Sequence, residues 1–140
     1  MQDILNMEPL CAEYGMAMVD STALDNCANV IDRSLGILVE NGFYAMGVYL
    51  LSNKVAAQNN YGGRTLRKIV ELLSTPELGI CTVNGREDGM MLLAKLRDVT
   101  EDLGKLLLAR KLAEEALTFA RYHCKALSVL QATQQQAREG

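Results

Sequence analysis

Leu35-Gly36-Ile37-Leu38-Val39-Glu40-Asn41-Gly42-Phe43-Tyr44-Ala45-Met46 reads as a corner between two helices, and the architecture follows from it. Upstream, Leu24, Cys27, Ala28, Ile31, Leu35, Leu38 and Val39 recur at helical spacing on one face, while Asp25, Asp32, Arg33 and Glu40 lie off it. Asp20-Ser21-Thr22 offers capping oxygens ahead of Leu24. Asn41-Gly42 ends the helix because both residues tolerate the left-handed backbone that satisfies its last carbonyls. From Phe43 to about Gln58 the pattern is apolar nearly all round, which predicts a central helix. Gly36 and Gly47 sit inside these helices, where glycine costs about 1 kcal/mol relative to alanine, so close approach of a neighbouring backbone is expected at both.

Further along, Asn59-Asn60-Tyr61-Gly62-Gly63 is a turn cluster, followed by a third apolar face of Leu66, Ile69, Val70 and Leu73, closed by Ser74-Thr75-Pro76. Residues 77–89 carry Gly79, Gly85 and Gly89 around the β-prone run Ile80-Cys81-Thr82-Val83, predicting a loop or a small hairpin arm. Leu92, Leu96, Val99 and Leu103 restart helical spacing, with a kink or break expected at Gly104. The last helix is expected from about Lys105 to Thr133, with Leu106, Ala109, Ala113, Leu117, Ala120, Cys124 and Leu127 as its core stripe. Pro9 and Gly15 interrupt a weak helical pattern near the start, so a short, loosely held helix is expected within 1–22, and the polar, glutamine-rich 131–140 is expected to fray. The expected fold class is all-α: a single domain over 1–140, a compact bundle of five to six helices.

The 140 residues are 49 % apolar, enough for one core. Fourteen basic against 17 acidic residues give a formal charge of −3, so the chain lacks the overall positive field of a protein that binds nucleic acid strongly alone. Cys11, Cys27, Cys81 and Cys124 are scattered, reading as buried thiols of a reduced compartment rather than a metal site. No stretch is long and apolar enough for a spanning helix, so a cytoplasmic protein without a membrane partner is expected.

Catalysis has little to work with. His123 is the single histidine, beside Phe119 and Ala116, and its neighbour Cys124 points about 100° away on a helix, so the two do not form a nucleophile pair. Tyr61-Gly62-Gly63-Arg64-Thr65 lacks the full phosphate-loop pattern. Glu114 is placed to pair with Arg110 or Lys111. Seven methionines, including Met90-Met91, read as core filling ahead of an adaptable contact surface. No cofactor and no metal are expected. Two basic strips remain: Arg64, Arg67 and Lys68 on one helix, and Arg110, Lys111, Arg121 and Lys125 on another. They are placed to straddle a phosphate backbone, with contacts to shape and phosphate rather than to bases; salt-bridged solvent faces are the alternative.

The corner at Asn41-Gly42 followed by Phe43-Tyr44-Ala45-Met46-Gly47-Val48-Tyr49-Leu50-Leu51-Ser52 resembles the "N-G-L" and apolar-helix pattern of the small subunit of Cmr-type (type III-B) CRISPR complexes. Ala109 to Leu127, with Ala113-Glu114-Glu115-Ala116-Leu117 running into Arg121-Tyr122-His123-Cys124-Lys125, resembles that family's terminal helix, although His123-Cys124-Lys125 stands where the family commonly has adjacent Lys-Arg. The resemblance implies a non-catalytic subunit that self-associates in a filament. It also implies partners: guide RNA and target RNA, and the other subunits of an antiviral effector complex. Two other classes stay open: a helical adaptor binding a protein partner through its methionines and the surface around Tyr44 and Tyr49, without nucleic acid, and a small enzyme using His123.

Overall fold

The computed structural model describes residues 6–56 and 60–139. Six helices and one single turn of helix follow in order: α1 (Glu8–Ala17), α2 (Leu24–Asn41), α3 (Phe43–Leu50), the single turn α4 (Asn53–Ala56), α5 (Tyr61–Leu73), α6 (Gly89–Thr100) and α7 (Leu103–Glu139). No strand occurs among the described residues, and the helices share one continuous core. The all-α bundle is as expected.

α7 is the spine. Its stripe of Ala109, Leu112, Ala113, Ala116, Leu117, Ala120 and Cys124 is buried. The small residues in it let α1 approach so closely that a Cβ on Gly15 would collide with the carbonyl of Ala116 and lie 3.1 Å from the Ala120 nitrogen. α1 runs parallel to α7: Met7 and Glu8 lie beside Leu108 and Leu112, Cys11 Sγ faces the Leu112 carbonyl at 3.8 Å, and Gly15 rests on Ala116. α2 runs antiparallel on another side of α7. Its register is held by Gln131 on the Ser21 carbonyl (2.9 Å), Arg121 on Asp32 (3.2 Å) and Arg110 on the Val39 carbonyl (3.0 Å).

The short helix expected near the start is α1, whose Cys11 and Gly15 are buried against α7 and whose end is closed by the fully buried Met18. Residues 1–5, 57–59 and 140 lie outside the described residues, and with them the expected end of the Phe43 run at Gln58 and the start of the turn cluster at Asn59. At the other end α7 continues regularly to Glu139 with Gln131–Arg138 exposed, because alanine and glutamine are good helix formers and no proline stops the chain.

The corner forms as expected. Gly42 has φ +107°, a conformation open to glycine, and its N–H reaches the Ile37 carbonyl at 3.1 Å. The capping role expected of Asp20-Ser21-Thr22 is not seen. Asp20 Oδ1 instead accepts from the Thr22 N–H (2.9 Å) and hydroxyl (2.6 Å), its Oδ2 accepts from Tyr61 at 2.9 Å, and Ala23 precedes α2 with no side-chain cap. These bonds, the Thr22 hydroxyl's foremost, hold the Asp20 carboxyl below its usual range.

The apolar run after Phe43 is not one long central helix. It stops at Leu50, and Ser52 restarts the chain as α4, its hydroxyl 3.4 Å from the Val55 N–H. The interruption gives the backbone of Gly62 a seat against the Leu50 carbonyl. α5 is the central helix, touching every other one, whereas α3 leaves Tyr44 and Val48 exposed. Of the two helical glycines, Gly47 meets a neighbour, with a Cβ there 2.6 Å from Leu96 Cδ1. Gly36 faces nothing within 4 Å, so its expected close approach is corrected.

Residues 77–88 form an irregular loop rather than a hairpin, organised by the Glu87 carboxylate, which accepts from the N–H groups of Asn84 (2.8 Å) and Gly85 (3.1 Å). Asp88 then caps α6 by accepting from the Met91 N–H at 2.8 Å. The break expected at Gly104 falls just before it: α6 ends at Thr100, and Asp102 accepts from the Lys105 N–H at 3.1 Å to open α7.

Candidate nucleic-acid interface

The α5 cations are drawn to three different places. Arg64 is exposed and donates to the Ala17 carbonyl at the end of α1 (3.1 Å). Arg67 is half-buried and donates to the Glu87 carbonyl, tying α5 to the loop before α6. Lys68 pairs with Glu71 one turn on, at 3.1 Å. Lys68 is thus ion-paired, as the salt-bridged alternative has it, whereas Arg67 is engaged with a backbone carbonyl.

On α7, Arg110 and Arg121 are three helical turns apart and lie on the α2 side, engaged with the Val39 carbonyl and Asp32 respectively. Lys111 points elsewhere, beside Glu8, Leu108 and Glu115 at the start of α1. Lys125 is exposed, with Nζ 5.8 Å from the centre of the exposed Tyr122 ring. The expected pairing of Glu114 with Arg110 or Lys111 is not formed; Arg110 uses the backbone of α2 instead. Arg121 and Lys125 line one cavity, Arg64 and Arg67 a second, and Lys111 a third, so the two strips do not meet in one of these clefts.

One feature was missed at the level of sequence. From Ala116 to Arg138 α7 holds no acidic residue, while Arg121, His123, Lys125 and Arg138 lie along it. Ser128 to Arg138 are all exposed, adding Gln131, Thr133, Gln134, Gln135 and Gln136 as polar groups. The result is a polar-to-basic rod with Tyr122 beside Lys125. The absence of Asp and Glu over these 23 residues is the signal the sequence holds, less conspicuous than its clusters of Lys and Arg.

The exposed apolar side chains form the other distinctive surface. Met90 and Met91, expected in the core, are 69 % and 50 % exposed at the start of α6, because Leu92, Leu93 and Leu96 take the inward positions. Leu103, Leu107 and Leu108 are also exposed on the first turns of α7. His123 is half-buried beside the core-facing Cys124. Among the described residues no group of His, Cys, Asp and Glu is placed to hold a metal ion, and no helix is long and apolar enough to cross a membrane.

No family model, curated protein or solved structure matches the chain.

Proposed function

We propose that this chain is a non-catalytic small subunit of a type III CRISPR effector complex, acting in the cytoplasm in antiviral defence. Copies stack on one another and on the other subunits, and hold guide and target RNA through phosphate contacts. The observation that carries this proposal is the stretch of α7 from Ala116 to Arg138, free of acidic residues, where Arg121 and Lys125 accompany exposed glutamines and Tyr122 ahead of the closing Arg138-Glu139 pair. Phosphates near Arg121 and Lys125 meet no carboxylate from that stretch, and polar amides supply further hydrogen bonds. The resemblance of the Asn41–Ser52 corner and of Ala109–Leu127 to the Cmr-type small subunit supports the assignment. A net charge of −3 keeps a single copy weak, and repetition along one RNA supplies the avidity.

The test is to purify the tagged protein from its native host at moderate salt and to sequence the RNA that accompanies it. Guide-length RNA with a shared repeat-derived end, together with several larger subunits, is the expected result. The full chain bearing Arg64→Glu, Lys68→Glu, Arg121→Glu and Lys125→Glu should fold and lose that RNA. Retention by the folded variant overturns the assigned contacts, and absence of RNA from the native preparation overturns the function.

A second reading is favoured by Met90, Met91, Leu103 and Leu107, an exposed apolar set around the α6 and α7 starts. It makes the chain a helical adaptor for a protein partner without nucleic acid. Partner capture that is insensitive to salt and to ribonuclease distinguishes it.

A further inference from the structure

Between α2, α3 and α4 lies a cavity of about 220 Å³ walled by Asn29, Arg33, Tyr49, Lys54 and Val55. Asn29 and Arg33 stand one turn apart on the same strip of α2. Lys54 enters from α4, the half-buried Tyr49 from α3, and the buried Val55 supplies the apolar part of the wall. Arg33 and Lys54 are exposed, and neither has a hydrogen bond or an ion pair among the described residues, unlike Arg64, Arg67, Lys68, Arg110 and Arg121. No carboxylate lines the cavity with them. The chain has no Asp or Glu from Asn41 to Val70, a stretch that spans α3, α4 and most of α5. On α2, Asp25 and Asp32 turn to the α7 side, where they line a separate cavity with Arg121, Cys124 and Lys125. Glu40, the next acid along the Arg33 strip, is two turns away, roughly 10 Å. Two like charges sharing a partly enclosed space repel each other with less water to screen them, so the cavity attracts an anion.

We infer that Asn29, Arg33 and Lys54 bind one phosphate of an RNA chain in this cavity. The phosphate is argued from the cavity itself, and RNA as its carrier rests on the function proposed above. Arg33 has the planar fork that takes two phosphate oxygens at once, and Lys54 supplies a point charge for a third. The Asn29 amide and the Tyr49 hydroxyl are the uncharged donors on the same wall. A carboxylate has too few oxygens to use all four groups, which favours phosphate over an acidic side chain. Size acts in the same direction. The space is below the roughly 300 Å³ at which sites for whole drug-sized molecules begin, so it takes a phosphate and leaves sugar and base outside. Contact is therefore independent of base sequence. Neither cation belongs to the strips of α5 and α7, so this is an additional point of attachment on another face of α2.

The test is an NMR titration of the isotope-labelled full chain with a short oligouridylate lacking terminal phosphates. The expected result is saturable shifts at Asn29, Arg33, Tyr49 and Lys54, reproduced at higher concentration by inorganic phosphate and not by uridine. Arg33→Gln and Lys54→Gln replace exposed side chains that the fold does not use, so both variants should melt as the parent does. Each should weaken oligouridylate binding about fivefold and lower its salt slope by about 0.7. Shifts with inorganic phosphate alone show that RNA is not the carrier and overturn the proposal. So do shifts that miss these four residues, or unchanged affinity in the folded double variant. The amides of Arg121 and Lys125 report RNA along α7 in the same spectra, so failure of those contacts is seen apart from failure of this site.

Discussion

The backbone of Gly15 in α1 lies on the carbonyl of Ala116 in α7 with no space for a side chain between them. The opposing atoms belong to backbone, which cannot swing aside as a leucine tip can, so even a methyl group must push the two helices apart.

Gly15→Ala should therefore destabilise the fold by about 3 kcal/mol despite the helix propensity that alanine adds. Gly36→Ala is the matched control. Nothing lies within 4 Å of its Cβ, and it should stabilise by about 0.5–1 kcal/mol. Urea unfolding of the two variants against the parent measures both, and opposite signs are expected.

Thr65 is buried on α5, and its hydroxyl has no hydrogen-bond partner among the described residues. Valine has the same shape without the desolvated oxygen. Thr65→Val should raise stability by about 1 kcal/mol, read as a higher urea midpoint at unchanged slope.

The two pH limits have different origins. N–H groups of the 84–87 loop, that of Asn84 foremost, hold the Glu87 carboxyl below its usual 4.5. A carboxyl depressed in the fold contributes stability that is present above its unfolded pKa and lost as pH falls through the folded one. Glu87→Gln should flatten that acid limb, seen in melting temperatures across pH 5 to 2. At the alkaline end, burial, the Cys27 sulfur and Asp32 push the Cys124 thiol from 9.0 up to about 12. Asp25, Arg121 and Lys125 edge the same cavity. A thiol raised in the fold contributes stability that is full below 9.0 and lost as pH rises toward about 12. Cys124→Ala should weaken that alkaline fall. Cys11, raised to about 11 chiefly by burial, should keep part of it.

If RNA lies along α7, the exposed Lys125 counts for more than Arg67, whose guanidinium is occupied by the Glu87 carbonyl. Lys125→Glu should reduce the salt dependence of RNA binding by about one unit of slope, and Arg67→Glu should act through stability instead. Titration at several salt concentrations, with melting curves for each variant, separates the two.

The helices were legible because burial leaves a periodic trace. The α2 face from Leu24 to Leu38, the Gly42 corner and the Ala109–Cys124 stripe are all written at helical spacing. The fate of the cations was not. Arg67 reaches a carbonyl 20 residues away and Arg110 one 71 residues away. Spacing along one helix says which face an arginine occupies, but not which neighbouring chain end waits there. The tight crossing at Gly15 escaped for a similar reason. A glycine in a short, weakly patterned helix looks like a breaker until the alanines of α7 are set against it. The rupture of the Phe43 run at Leu50 has a local cue in Ser52-Asn53, which uniform hydrophobicity outweighed.

α7 outlasts every helix around it. Past the Gln131–Ser21 bond the rod continues for eight residues to Glu139, roughly 12 Å, with its side chains in solvent through Arg138. Up to that bond α7 is clasped on two sides, by α1 at the Gly15 crossing and by α2 at Arg110, Arg121 and Gln131. A wedge driven in at Gly15 would therefore be felt along the whole α2–α7 seam rather than at one pivot.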